Sequence, residues 1–152
     1  MVLIESSNME IAMQRTIFAL WGLANAGKTT TIRLAYEKLA REENVIDPGR
    51  RSKKEVRGAI LKIDGIKIGF ASQGDRADVL RENIERLIAA GCIIIVCAAH
   101  TPRSLTYKVV EQFINEFEIV FIEKVADPDR KDAANLEKSD EIIRRIKSIL
   151  KS

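Results

Sequence analysis

The segment Gly22-Leu23-Ala24-Asn25-Ala26-Gly27-Lys28-Thr29 constrains the fold more than any other part of this sequence. It follows a short apolar run, Thr16–Trp21, and it precedes an amphipathic stretch that continues to about Arg41. Glycines let the backbone curl so that successive N–H groups point into one anion-sized hollow, and a following helix directs its positive dipole end there. The spacing therefore predicts a strand, a phosphate-binding loop and a helix, in that order.

This motif and its setting resemble those of the P-loop nucleoside triphosphatase superfamily, and the likeness in strand–helix order covers nearly the whole chain. The resemblance implies a nucleotide-binding set that comprises Gly22, Leu23, Ala24, Asn25, Ala26, Gly27, Lys28, Thr29 and Thr30. Lys28 would reach the β- and γ-phosphates as a point charge, and the Thr29 hydroxyl would ligate Mg²⁺.

The rest of the chain alternates short apolar runs with amphipathic stretches, which is typical of an α/β domain. Asp64-Gly65 separates two β-rich runs and is a strong hairpin signal, so Val56–Ile63 and Ile66–Ala71 are predicted to pair antiparallel. Residues 92–99 are continuously apolar, as in a strand covered on both faces. We expect a three-layer sandwich with a mostly parallel sheet of about five strands and one antiparallel edge hairpin. Helices are predicted at residues 75–90, 104–117 and 136–150, and the last strand at residues 119–122.

Two segments lie outside this alternation. Residues 1–15 are predicted to be a frayed lead-in or a short helix ahead of a single domain at residues 16–152. Residues 42–54 are polar and contain Asp47-Pro48-Gly49, a strong turn signal, so they are predicted to form a mobile loop or a connection.

Composition excludes several classes of protein. No run approaches the ~20 apolar residues of a membrane helix, and the amino terminus lacks the basic and apolar regions of a secretory signal. Cys92 and Cys97 are expected on opposite faces of one strand as free, buried thiols, which fits a reducing cytoplasm. The net charge of +3 is too mild for a dedicated nucleic-acid binder, and no Cys or His spacing suggests a metal cage.

Asp75 is the best candidate for the carboxylate that a P-loop enzyme holds at the end of a neighbouring strand, either to bind Mg²⁺ or to position the nucleophile. The predicted third strand runs into Ser72-Gln73-Gly74-Asp75, with Ser72 where the acid commonly falls. Asp75 is alternatively an N-cap of the following helix. Gln73 is a candidate for orienting an attacking water.

Base selectivity follows from what the sequence lacks. The loop and the hairpin partly resemble translation-factor-type GTPases, whose Asp-x-x-Gly would need Asp at Ala71. Their guanine-reading Asn-Lys-x-Asp has its nearest counterpart in Glu123-Lys124-Val125-Ala126, which supplies the Lys only. ATP, or an unselective site, is therefore favoured over GTP. Trp21 is either a packing residue under the first strand or a stacking platform for the base.

Other polar residues have more than one interpretation each. His100 or Thr101 senses the γ-phosphate, or is a loop residue that caps the next helix. Arg103 supports the transferring phosphoryl group, or is simply solvated. A basic segment closes over the phosphates, acts as a switch, or is a solvated loop balancing Glu42-Glu43; it comprises Arg50, Arg51, Lys53, Lys54 and Arg57.

Together these features predict an ATP-binding protein that hydrolyses ATP with Mg²⁺ and whose nucleotide state switches residues 42–57 and 72–76, acting on or with a partner protein or a nucleic acid. The first alternative is a small kinase for a nucleotide or metabolite, with Asp75 as base or orienting acid. Its anion clamp would comprise Arg50, Arg51, Arg57, Arg76 and Arg103. The second alternative is a GTP-binding protein or a slow-turnover, nucleotide-gated binding module. A dimer is one option for the oligomeric state.

Overall fold

The computed structural model describes residues 14–51, 55–73 and 75–151, and at residues 50 and 51 the backbone alone. The predicted α/β class is confirmed, because a mixed sheet is combined with four described helices. In chain order the elements are β1 (Thr16–Trp21), α1 (Lys28–Glu42), β2 (Asn44–Asp47), β3 (Arg50–Arg51), β4 (Val56–Ile63), β5 (Ile66–Ala71), α2 (Ala77–Ala89), β6 (Ile94–Ala99), α3 (Leu105–Glu111), β7 (Glu118–Glu123) and α4 (Lys131–Lys151).

Six strands lie side by side in the order β2-β4-β5-β6-β1-β7, and the two-residue β3 pairs with β4. Strands β5, β6, β1 and β7 are parallel, whereas β2, β3 and β5 each pair antiparallel with β4. The sheet is therefore more mixed than predicted. It also differs in neighbours: β6, not β5, lies beside β1, so the strand that leads to Asp75 is one position removed from the glycine-rich segment.

The Asp64-Gly65 hairpin is confirmed. Ile63 and Ile66 are register partners, and the two turn residues have φ angles of 51° and 81°. Two successive positive φ values are typical of the tight turn whose twist matches that of the flanking strands.

The apolar core lies on both faces of the sheet, because side chains alternate along each strand. On β1, Phe18 and Leu20 contact a cluster that includes α1 and α4, whereas Ile17 and Ala19 contact one that includes α2 and α3. Four helices thus cover the two faces in pairs, and all the parallel strands end on the side where the glycine-rich segment begins.

The prediction of a loop at residues 42–54 is wrong for most of that segment. β2 and β3 lie within it as edge strands, joined by the predicted turn, in which Asp47 Oδ1 accepts a hydrogen bond from Gly49 N at 2.8 Å. All four β2 residues are exposed, so no apolar periodicity marks the strand. The helix predicted at residues 104–117 is shorter than expected and ends at Glu111. The helix predicted at residues 136–150 begins earlier than expected, at Lys131.

Cys92 and Cys97 are free and buried as predicted, but both face the α2–α3 side, because Cys92 precedes β6 and is not part of its alternation. Burial raises the pKa of the Cys92 thiol to about 11 and that of Cys97 to about 12. No described helix has the length and apolarity to cross a membrane. The predicted lead-in falls outside the described residues except for Gln14 and Arg15.

Candidate functional site

Residues 22–29, here called the glycine loop, connect the end of β1 to the start of α1. Gly22 N donates to Ala99 O at 3.3 Å, and Ala26 N donates to Leu23 O at 3.3 Å, which closes a tight turn. Gly27 has a φ of 94° and precedes a 15-residue helix. The N–H groups of the first turn of a helix lack an intrahelical acceptor, so this turn presents unpaired donors and a positive dipole end beside the loop.

Lys28 is the first residue of α1, and its ammonium is held at the base of the loop. Nζ donates to Gly22 O at 2.5 Å and to Ala99 O at 3.0 Å, and only 8% of the residue is exposed. Burial lowers the pKa of Lys28, and the negative charge of Asp75 opposes that shift. The buried ammonium between the ends of β1 and β6 therefore places positive charge where the loop curls.

The loop is packed against Lys124, which the sequence indicated only as a partial match to a guanine-reading motif, and against Asn135, which the sequence did not single out. A Cβ on Gly22 would collide with the Lys124 carbonyl oxygen, and one on Gly27 with the Asn135 side chain. Lys124 is 3% exposed, and its Nζ donates to Ala26 O at 2.8 Å and to Val125 O at 3.0 Å. The residue therefore links the end of β7 to the glycine loop. The sequence contained no signal for this contact beyond a lysine directly after an apolar strand, in the partial match to Asn-Lys-x-Asp.

Thr29 and Thr30, which the sequence predicts to bind nucleotide, are half-buried in the first turn of α1. The next residue, Thr31, is buried, and its hydroxyl donates to Gly27 O at 2.7 Å. Thr31 therefore closes the turn structurally, whereas the two preceding residues remain at the partly exposed end of the helix.

Asp75 and His100 meet above the tip of β6. Asp75 Oδ1 lies 3.4 Å from His100 Nε2, and the Asp75 side chain is 85% exposed. β5 ends before β6 does, because its last residue, Ala71, pairs with Cys97, whereas β6 continues to Ala99. The chain that follows β5 can therefore pass over the end of β6 toward Lys28. The structure thus brings Asp75 near Lys28 despite the intervening strand, and adds His100 as its neighbour.

The alternative roles as helix caps do not match the structure. The N-cap of α2 is Arg76, which makes no side-chain capping bond, so Asp75 does not cap that helix. The N-cap of α3 is Ser104, whose hydroxyl accepts from Tyr107 N, so neither His100 nor Thr101 caps α3.

Ser72, in the position where an acid commonly falls, has a structural role. It is 1% exposed; its N–H donates to Val56 O, and its hydroxyl accepts from Val56 N, both at 2.8 Å. These bonds extend the pairing of β5 with β4 by one residue. Gln73 follows and is half-buried, so the glutamine lies on the same connection as Asp75.

A cleft of about 450 Å³ opens beside the Asp75–His100 pair, between the amino-terminal ends of α2 and α3. Its described lining consists of Asp75, Arg76, Ala77, Asp78, His100, Ser104, Leu105 and Thr106. Thr106 Oγ1 accepts from His100 N at 2.9 Å, which fixes the backbone at the base of the cleft.

Trp21 is a packing residue in the structure. Its ring lies edge-on to Tyr107, with 6.2 Å between centroids, and Tyr107 stacks on Phe121 at 3.9 Å. The indole is nevertheless attached to the residue that precedes the glycine loop, and it is half-buried, so its emission can report on that loop.

The predicted basic segment is only partly described. Arg50 and Arg51 pair through their backbones with β4, and Lys53 and Lys54 lie outside the described residues. The Arg57 guanidinium pairs with Glu55 at 2.8 Å on the surface. Two further arginines of the predicted anion clamp also lie at the surface: Arg76 pairs with Asp78, and Arg103 is exposed. The structure therefore gathers no set of free arginines from its described part.

Within the described ranges, no group of three or more His, Cys, Asp or Glu side chains is arranged to hold a metal ion. Comparison with known proteins gave no match: no family model, no curated protein and no solved structure matches this chain.

Proposed function

We propose that this chain is a P-loop protein that binds Mg²⁺–ATP at the glycine loop and hydrolyses it. The observation that carries the proposal is the position of Lys28, which is buried at the start of α1 and bonded to the carbonyls of Gly22 and Ala99. A buried ammonium at the start of a helix whose positive pole points at a curled loop is suited to an anion such as a polyphosphate.

The binding energy would come from charge-assisted hydrogen bonds. The triphosphate oxygens would accept from the unpaired N–H groups of the first turn of α1 and from the Lys28 ammonium. Burial disfavours the charged form of Lys28 and lowers its pKa, and the charge of Asp75 opposes that shift. A polyanion placed beside the ammonium would further favour its charged form.

The available oxygen donors fit Mg²⁺ in a nucleotide complex. Mg²⁺ usually keeps several waters and takes one or two protein oxygens together with phosphate oxygens. Thr29 offers a hydroxyl in the first turn of α1, and Asp75 offers an exposed carboxylate that acts on Lys28 electrostatically. The ion would supply charge neutralisation at the phosphates. A complete protein-built metal cage is not required for that role.

Hydrolysis would take place beside the tip of β6. A water held by Asp75, by His100 or by Gln73 would attack the γ-phosphorus while the bond to the β–γ bridging oxygen breaks. The products would be ADP, phosphate and a proton. Residues 72–76 are the segment that we expect to change conformation with the nucleotide state, since β2 and β3 hold much of residues 42–57 in the sheet.

ATP is proposed over GTP because the segment Glu123-Lys124-Val125-Ala126 has neither the asparagine nor the aspartate of the guanine-reading Asn-Lys-x-Asp. Its one matching residue, Lys124, has its ammonium bonded to the carbonyls of Ala26 and Val125. GTP remains the alternative nucleotide for the test.

Phosphoryl transfer to a small molecule is the second candidate function, and the cleft beside His100 is the observation that favours it. A hydrolase needs room for one water, whereas about 450 Å³ is within the range of small-molecule sites.

Steady-state phosphate release tests the proposal. Wild-type protein with Mg²⁺–ATP should release phosphate, and Asp75→Asn should lose most of that turnover while still binding ATP. Asp140→Asn is the matched control, because Asp140 pairs with Lys38 on the surface of α1 and α4. Wild-type turnover in Asp75→Asn would refute the role of Asp75, and bound ATP without any phosphate release would favour the binding module.

A further inference from the structure

Gly27, at the end of the glycine loop, is confined by two helices. Within α1, its carbonyl oxygen accepts from Thr31 N at 2.9 Å and from Thr31 Oγ1 at 2.7 Å. From α4, the Asn135 carboxamide approaches so closely that a Cβ on Gly27 would collide with Asn135 Oδ1. Both contacts act on the same residue of the loop, although Asn135 is far from it in the sequence.

The orientation of Gly27 determines where the Lys28 N–H points. The Gly27 carbonyl and the Lys28 N–H belong to one peptide group, which is planar and trans, so the N–H is directed opposite to the carbonyl. Because Thr31 binds that carbonyl from within α1, the N–H is directed away from the helix body, on the side of the glycine loop. It is one of the donors at the helix start that lack an intrahelical acceptor.

The conformation of Gly27 is not maintained by its own backbone preference. Its φ of 94° lies in a region that suits glycine and few other residues. Glycine adopts positive and negative φ about equally readily, so the residue that can form this loop can also leave the required conformation. A neighbouring side chain that limits its movement therefore stabilises the loop.

Asn135 is a rigidly held neighbour. It is 2% exposed and lies on α4, whose Ile142 and Ile146 are buried in the cluster that includes α1. An ion pair of 2.9 Å between Lys38 Nζ and Asp140 Oδ1 also joins α1 to α4. The carboxamide therefore has a defined position relative to the start of α1.

We infer that Asn135 is a positioning residue for phosphate binding: its side chain confines Gly27 and thereby keeps the Lys28 N–H directed into the phosphate site. Asn135 acts through the Gly27–Lys28 peptide and needs no contact with the ligand. The inference rests on the proposed function for the identity of the ligand, whereas the confinement of Gly27 is a property of the nucleotide-free chain.

Relaxation of backbone ¹⁵N in the nucleotide-free full chain tests the confinement directly. In Asn135→Ala, the order parameters of the Gly27 and Lys28 amides should fall from about 0.85, typical of a rigid backbone, to about 0.6. Ser139→Ala is the matched control, because Ser139 is also buried on α4 but its hydroxyl bonds within that helix, to Leu136 O at 2.7 Å. Its loop amides should keep wild-type order parameters.

Titration calorimetry with two ligands tests the consequence for binding. Mg²⁺–ATP and inorganic tripolyphosphate should each bind about fivefold more weakly to Asn135→Ala, because a loop that is no longer preorganised must be ordered on binding. Both ligands should bind to Ser139→Ala as to the wild-type protein. Asn135→Ser serves as a second variant, so the comparison stands even if Asn135→Ala does not fold.

A double-mutant cycle tests whether Asn135 acts through Gly27. Gly27→Ala should weaken tripolyphosphate binding about 20-fold in the wild-type background, where the methyl group meets the carboxamide. In the Asn135→Ala background the same substitution should weaken binding only about threefold, because the collision is removed and the unfavourable φ remains. A purely structural role of Asn135 would lower the urea midpoint without producing this coupling.

Unchanged order parameters in both Asn135 variants would overturn the inference. Wild-type affinity of a folded Asn135 variant, weaker binding of ATP but not of tripolyphosphate, or equal effects of Gly27→Ala in the two backgrounds would overturn it as well. If the wild-type protein binds neither ligand, the proposed function has failed, and the order parameters still decide whether Asn135 confines Gly27.

Discussion

Lys124→Met removes one ammonium and leaves a side chain of similar length. In the wild-type protein this ammonium donates to Ala26 O at 2.8 Å and to Val125 O at 3.0 Å, and only 3% of the residue is exposed. The Ala26 carbonyl belongs to the glycine loop, so the substitution should loosen that loop where it meets β7.

The magnitude follows from two opposing effects. A hydrogen bond from a charged donor contributes about 1.5–3 kcal/mol, and two such bonds are lost. Burial of the ammonium is itself unfavourable: it lowers the pKa of Lys124, as does repulsion from Lys138 to a smaller extent, with Asp127 acting in opposition. Methionine avoids that desolvation, so we expect a net loss of about 1–3 kcal/mol in the free energy of unfolding.

Urea unfolding followed by circular dichroism measures this loss, and a titration with Mg²⁺–ATP measures the consequence for binding. A loss of about 1.4 kcal/mol confined to the loop would raise the Kd about tenfold. Lys147→Met is the control, because its ammonium pairs with Glu42 at 3.8 Å at the surface, where such pairs contribute about 0–1 kcal/mol. If Lys124→Met has wild-type stability and affinity, Lys124 does not support the loop.

Three further predictions concern single positions. Gly27→Ala should destabilise the protein by about 2 kcal/mol or more in urea unfolding, because φ is 94° and the new methyl group would collide with Asn135; unchanged stability would contradict the observed loop geometry. Ser72→Ala should lower the free energy of unfolding by about 1–3 kcal/mol, because Val56 N loses its hydroxyl acceptor, and it should leave the turnover per folded molecule unchanged. A selective loss of turnover would indicate that Ser72 takes part in the reaction. Cys97 should resist thiol reagents at about pH 8 until urea unfolds the chain, because burial raises the pKa of its thiol to about 12 and keeps it protonated. Rapid labelling of the native protein would contradict this prediction, since it would show that the thiol is accessible.

The parts of this molecule that the sequence predicted are those set by neighbouring residues. A strand, a glycine-rich turn and a helix at residues 16–42 follow from local periodicity and from glycine, and Asp64-Gly65 specifies its hairpin through two positive φ angles. Local sequence contains no comparable signal for β2. Its four residues are exposed and their pairing with β4 is through the backbone, so their apolar pattern is uninformative.

Strand order and long-range side-chain contacts were the features that local patterns did not specify. The insertion of β6 between β5 and β1 makes His100 the residue that Asp75 meets, and no spacing along the chain indicates that pair. The bond from Lys124 to Ala26 likewise joins residues far apart in the sequence, through the parallel pairing of β1 with β7.

The central claim is that Lys28 and the glycine loop bind a nucleoside triphosphate. Titration of Mg²⁺–ATP, with Mg²⁺–GTP in parallel, while the emission of Trp21 is recorded, tests this claim most directly. Wild-type protein and the control Lys38→Ala, which alters an exposed lysine on the same helix, should bind ATP alike and more tightly than GTP. Lys28→Ala should bind about 100-fold more weakly, since the ammonium makes charge-assisted bonds to the phosphates. Wild-type affinity in Lys28→Ala would contradict the assignment of the site.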